Sequence, residues 1–167
     1  MAIEHDFFGL LESGPDGSIF WSENIEFGDQ QVTVDLTAPD QEDVTPAALD
    51  IAAGMVATIE GIDRLARDAM LAQVDDRTSE VTEYILQQEA SYGEDELQEI
   101  LADVSGDIAV DVIRSLQLMS MTILADELGG GDPFAVLEYA LDPDATDDVL
   151  LVNLASDGAV QSVTSAE

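Results

Sequence analysis

The chain has 167 residues and carries 37 aspartates and glutamates against four arginines and no lysine, a formal net charge of −33. Its apolar fraction of 46% is ordinary for a globular protein, so the acidity does not indicate disorder, and the length suits a single domain spanning residues 1–167. A field this negative repels phosphate backbones and anionic lipids, so we expect no nucleic-acid or membrane partner.

The absence of cysteine excludes disulfides, thiolate metal sites and cysteine nucleophiles. The first residues lack the basic start and apolar run of a secretion signal, and no window is apolar enough for a membrane span. We therefore expect a soluble, cytoplasmic protein. Two explanations of its acidity stay open, namely adaptation to high internal salt and docking of a basic partner.

A β-hairpin is predicted at about residues 18–36. Two runs of alternating apolar residues flank a break at Gly28 and Asp29, as expected for two strands with one buried face. Glu23 falls on the apolar side of the first run, which predicts a bulge or a strand end there. The apolar positions are Ile19, Trp21, Ile25, Phe27, Val32, Val34 and Leu36.

A helical block follows at about residues 46–116. Thr45 and Pro46 provide a helix start, and apolar residues at steps of three and four continue to about residue 74. Gly54 and Gly61 within this segment predict the close approach of another element. Shorter helices are predicted at 79–90, 94–103 and 107–116, with a break at 91–93 and with Arg114 favourably placed near a helix C-terminus.

The C-terminal part, about residues 118–165, predicts four antiparallel strands. They cover 118–125, 134–141, 149–154 and 159–164, with the third buried on both faces and the fourth at an edge, where pairing into a homodimer stays open. The resulting fold class is α+β. It comprises an N-terminal β-hairpin, a central helical block and C-terminal antiparallel strands, which form one antiparallel sheet with helices packed on one face.

No segment predicts a catalytic, cofactor-binding or metal-binding residue. His5, the single histidine, is interpreted as an ordinary surface residue near a mobile terminus. The glycines at 129–131 lack the Lys and Ser/Thr of a phosphate-binding loop and predict a flexible turn. Trp21 and Tyr139 are expected in the core.

Two charged motifs have both a functional and a structural interpretation. Oxygen-bearing side chains alternate through residues 142–148 as in a calcium loop, but Asp147 and Asn153 replace the required Gly and Glu, so a tight acidic turn is favoured. Arg64 and Arg67 lie four residues after Glu60 and Asp63, which favours pairing along a helix over an anion site.

Both ends of the chain resemble a bacterial family of small acidic proteins known as a domain of unknown function. The resemblance rests on the N-terminal stretches 7–11, 19–21, 25–28 and 32–36 and on the C-terminal stretches 149–154 and 157–158. It implies an α+β fold with helices between two sheet-forming segments, and no catalytic residue, cofactor or substrate.

These observations favour a non-enzymatic protein that acts through protein–protein contact. One version is an immunity-type or antitoxin-like binder, whose acidic surface would speed association with a basic partner. A divalent-metal-dependent hydrolase and a small-ligand regulatory module stay open as alternatives.

Overall fold

The strand-forming segments at the two ends of the chain join into one sheet. The computed structural model describes residues 2–101, 104–128 and 132–166. Strands β3 to β8 form a six-stranded sheet in chain order, and β1 pairs with β2 in a separate hairpin. The strands described are β1 (Ala2–His5), β2 (Gly9–Glu12), β3 (Ile19–Phe27), β4 (Gln30–Ala38), β5 (Gln117–Leu124), β6 (Ala135–Ala140), β7 (Val149–Leu154) and β8 (Val160–Ala166).

The helices all lie in the connection between β4 and β5. They are α1 (Pro46–Ala57), α2 (Ile59–Leu71), α3 (Glu80–Ile100) and α4 (Ile108–Ser115). The core lies between them and one face of the sheet, where Val34, Met121, Leu137 and Val152 share a row across four strands and are fully buried. The predicted α+β class, with helices packed on one face of a single sheet, is confirmed.

The expectation of an entirely antiparallel sheet is wrong at one pair. Strand β4 runs parallel to β5, with Thr33 opposite Ser120, whereas the other four pairs of the six-stranded sheet are antiparallel. A parallel pair needs a crossover connection, and the helical block of residues 39–116 supplies it. This one pair is what unites the predicted hairpin with the predicted C-terminal strands.

Two details of the strands also differ from expectation. Glu23 lies in unbroken register opposite Val34, so neither a bulge nor a strand end occurs there. It is exposed because β3 is an edge strand. Strand β7 alternates between half-buried and buried residues, so it is buried on one face only and not on both as predicted. The edge position of β8 is confirmed.

The predicted long helix at 46–74 divides at Thr58. Thr45 caps α1 by accepting the Ala48 N–H on its Oγ1 at 3.1 Å, and Pro46 opens the helix as predicted. Thr58 leaves helical geometry at φ −115° and ψ 28°, and its Oγ1 donates to the carbonyl oxygen of Gly54 at 2.8 Å. The expected close approach at Gly54 and Gly61 does not occur within the described part of the chain, because a Cβ at either position would meet nothing within 4 Å.

The hairpin of β1 and β2 was not predicted from the sequence. It places His5 in a strand, where its Nε2 lies 2.9 Å from Asp50 Oδ1 and its Nδ1 accepts the Phe7 N–H at 3.1 Å. His5 is therefore part of a paired strand with a side chain only 13% exposed, which differs from the surface histidine that was predicted. Strands of only four residues are too short for alternation to be informative.

Candidate functional site

The acidic residues are unevenly distributed over the fold. Within the strands of the six-stranded sheet they are Glu23, Glu26, Asp35 and Glu138. Helix α3 alone carries Glu80, Glu83, Glu89, Glu94, Asp95, Glu96 and Glu99. The helical layer and the loops therefore produce most of the negative potential.

A groove of about 680 Å³ opens between the second half of α3 and α4. We call it the acidic groove. Its volume lies within the range of about 300–1,000 Å³ that is usual for ligand pockets. It is lined by Glu89, Glu94, Gln98, Leu101, Val104, Gly106, Asp107, Ile108 and Asp111.

A break in α3 directs its second half along the groove. Gly93 has φ 73° and ψ 167°, a conformation open essentially to glycine alone, and it interrupts the helix as the sequence predicted at 91–93. After the break Glu94, Gln98 and Leu101 recur at steps of four and three. They therefore share one face, which lines the groove.

The opposite wall is fixed by capping at the start of α4. Asp107 caps the helix by accepting the Val110 N–H on its side chain at 3.4 Å. Asp111, one turn further on, accepts the Ser105 N–H at 2.8 Å and the Ser105 hydroxyl at 2.7 Å. The hydrogen bond from the Ser105 hydroxyl lowers the pKa of Asp111 below its usual value, so this carboxylate stays charged.

The acidic groove also has an apolar component. Val104 is 54% exposed, whereas Leu101 is buried and Ile108 half-buried beside it. Leu86, another apolar side chain of α3, is 57% exposed and does not line the groove. Among the described residues, the groove thus combines an accessible apolar contact with the carboxylates of Glu89, Glu94 and Asp107, whereas Asp111 is buried and held by Ser105.

A second groove, of about 520 Å³, gathers three of the four arginines. Arg64, Arg67 and Arg114 line it, together with the carboxylates of Glu60, Asp63 and Asp68. The equal number of carboxylates leaves the lining without net positive charge, which does not favour an anion site. Arg114 lies in the last turn of α4, as the sequence predicted.

Arg67 is held by the protein itself. Its Nε lies 3.0 Å from Asp63 Oδ1, which confirms the predicted pairing four residues apart. Its Nη1 and Nη2 donate to the carbonyl oxygens of Ile113 and Leu116 at 2.8 and 2.7 Å. Among the described residues Arg64 forms no ion pair with Glu60, so that predicted pair is not present in this geometry.

The remaining sequence expectations fall at separate places. The stretch 142–148 forms a turn between β6 and β7, as predicted, and this geometry leaves open whether the turn binds a cation. Tyr139 is fully buried. Trp21 is half-buried, and its ring centroid lies 4.8 Å from that of Phe8. The predicted glycine turn at 129–131 lies outside the described residues. Within the described ranges no three His, Asp or Glu side chains lie close enough together to hold a metal ion.

The acidic groove was not predicted from the sequence. The spacing of Glu94, Gln98 and Leu101 was the one available signal, but it does not show which helix faces them. The groove depends on the angle that Gly93 imposes and on the docking of α4, both of which are tertiary features.

Comparison with protein-family models, curated proteins and solved structures gives no match. The resemblance to a bacterial family of small acidic proteins stays a prediction. No helix in the described part of the chain is long and apolar enough to cross a membrane.

Proposed function

We propose that the protein is a non-enzymatic binding module that docks a basic, amphipathic segment of a partner protein in the acidic groove. The observation that supports this is the placement of exposed Val104 among the carboxylates of Glu89, Glu94 and Asp107. Such a surface is complementary to a segment with one apolar side chain flanked by lysines or arginines. The volume suits a few side chains of that segment.

The overall charge supports the same partner class. A molecule of net charge −33 attracts basic proteins over long distances, which raises the association rate at low salt. Long-range attraction alone does not select a site, because acids are spread over the helices and loops. Selection in this proposal comes from short-range contact of the partner with Val104 and the neighbouring carboxylates.

The test uses a synthetic amphipathic peptide of lysine and leucine, titrated into the full chain by calorimetry at fixed KCl. Val104 is 54% exposed, so a partner can bury only about half of its apolar area, worth about 0.8 kcal/mol, and we expect Val104→Ser to weaken binding about three- to fivefold. Glu94→Gln removes a carboxylate of the groove and should weaken binding by about two- to fivefold.

Two matched variants on α3 serve as controls. Leu86→Ser removes an equally exposed apolar side chain, and Glu83→Gln an exposed carboxylate, both outside the acidic groove. We expect each to change affinity by less than about twofold. Equal effects of all four variants, tight binding of a lysine–serine peptide, or an association rate insensitive to KCl would each contradict the proposal.

A further inference from the structure

One face of α3 lies against the turn at 142–148, which we call the acidic turn. Tyr84, Gln88 and Tyr92 are four residues apart and therefore share a face of the helix. Gln88 Nε2 lies 3.4 Å from Asp148 Oδ2, and the Tyr92 hydroxyl lies 3.3 Å from Asp142 Oδ2. Two carboxylates thus face one helix about one turn apart.

The side-chain oxygen of Gln88 is buried without a partner. Gln88 is 0% exposed, and its Oε1 accepts no hydrogen bond from the described residues. An unsatisfied buried acceptor costs about 1–3 kcal/mol. Nε2 of the same amide group reaches Asp148, so a third group that satisfies Oε1 would lie in the neighbourhood of that carboxylate.

The protein supplies no cation to this cluster within its described part. Arg64, Arg67 and Arg114 line the groove beside α2, and neither Asp142 nor Asp148 forms an ion pair. The surroundings are electronegative, in agreement with this. Burial, and then the neighbouring carboxylates, raise the pKa of Tyr92, and burial raises the pKa of Tyr84 to about 12.

We propose that Gln88 Oε1 and the carboxylates of Asp142 and Asp148 bind a calcium ion between α3 and the acidic turn. All three ligands are oxygens, as calcium requires, and an irregular turn tolerates its variable coordination better than the strict octahedron of magnesium. Water and backbone carbonyl groups of the turn complete the coordination shell. The site uses two carboxylates and an amide, so it is compatible with the absence of a three-carboxylate cluster among the described residues.

The site is tested by calorimetric titration of Ca²⁺ into the full chain. The buffer contains about 1 M choline chloride, which screens diffuse binding of Ca²⁺ to the acidic surface. Choline is a cation too large to enter the site. We expect one saturable site with a dissociation constant on the order of 10⁻⁴ M, in the range of weak calcium modules. Tb³⁺ luminescence provides a second readout, because Tyr84 and Tyr92 lie beside the site and can sensitise the bound ion.

Three variants locate the ion. Gln88→Leu removes Oε1 while preserving apolar packing, and Asp148→Asn removes one carboxylate, so each should weaken Ca²⁺ binding at least tenfold and abolish the tyrosine-sensitised luminescence. Asp144→Asn, an exposed carboxylate of the same turn, should change affinity less than twofold. Asp142→Asn alters a half-buried position and tests the site independently of the buried glutamine.

Two results would overturn the proposal. Heats that do not saturate for the wild-type chain would show that a water molecule satisfies Gln88 Oε1 and that calcium binds only diffusely. Equal affinity of the wild type, Asp148→Asn and Asp142→Asn would place the ion elsewhere on the molecule.

Discussion

Arg67 joins three elements through a single guanidinium group. It pairs with Asp63 of α2, donates to the last carbonyl groups of α4 and lies 5.2 Å from the ring of Tyr139 on β6. The Tyr139 hydroxyl donates to Asp63 Oδ1 at 2.7 Å, and burial followed by that carboxylate raises the pKa of Tyr139. The network satisfies a carboxylate whose side chain is only 13% exposed.

We expect Arg67→Met to lower the free energy of unfolding by about 2–3 kcal/mol. The change leaves Asp63 without its cation. It also removes the Arg67 donor from the Leu116 carbonyl oxygen and leaves the Ile113 carbonyl oxygen with only the long 3.4 Å bond from the Leu116 N–H. Urea unfolding at fixed KCl measures the effect. Arg64→Met on the exposed side of α2 is the control and should stay within about 0.5 kcal/mol of the wild type. An equally small effect at Arg67 would mean that the network contributes no net stability.

Sequence reasoning predicted the local half of this network and missed the rest. The pairing of Asp63 with Arg67 follows from helical spacing alone, because both lie in α2. The contacts with Ile113, Leu116 and Tyr139 depend on which elements pack beside α2, and one sequence contains no such signal. The contact of Gln88 with Asp148 was not predicted for the same reason.

At the scale of elements, glycines at three helical positions have opposite roles. Gly93 has a positive φ that an alanine adopts only with strain, whereas Gly54 and Gly61 lie in helical geometry with open space around them. The first glycine breaks α3 and orients the wall of the acidic groove. The other two only weaken their helices.

We expect Gly93→Ala to lower the free energy of unfolding by about 1–3 kcal/mol, the cost of a non-glycine residue in this conformation. Gly61→Ala should raise it by up to about 1 kcal/mol, since alanine favours the helix and meets no neighbour. Both are measured by urea unfolding, and each serves as the control for the other. A stabilising Gly93→Ala would show that α3 runs on through residue 93 and that the walls of the acidic groove are placed differently.

Most elements were predictable because their signals are local. Alternation located β3 to β6, a dense apolar run located β7, and the turn signal at 157–158 located β8. The Thr45–Pro46 start located α1, and Gly93 marked the break in α3. The four-residue strands β1 and β2 offered too few positions for alternation to appear. The division at Thr58 was missed because the apolar spacing continues through it. The parallel pairing of β4 with β5 is decided by the helical layer as a whole.

For the whole molecule, the distribution of charge predicts a strong dependence of stability on salt. With a net charge of −33, the folded state is destabilised by self-repulsion that ions screen. The Debye length falls from about 10 Å at 0.1 M to about 3 Å at 1 M salt, so we expect the melting temperature to rise steeply over this interval.

Thermal melts followed by circular dichroism against KCl provide the measurement. A steep rise supports salt adaptation as the origin of the acidity. A protein that is stable at about 0.1 M KCl and indifferent to more would contradict the expectation and favour selection for a basic partner instead.

The parallel pairing of β4 with β5 has a consequence during synthesis on the ribosome. Strand β4 emerges soon after β3, but its second neighbour follows only after residues 39–116 have been made, an interval of several seconds at about 5–20 residues per second. Throughout that time one edge of β4, with Val32, Val34 and Leu36, is a template for pairing with other nascent chains. The residues translated next are rich in carboxylates, and we expect their mutual repulsion to oppose such pairing between chains until β5 is made.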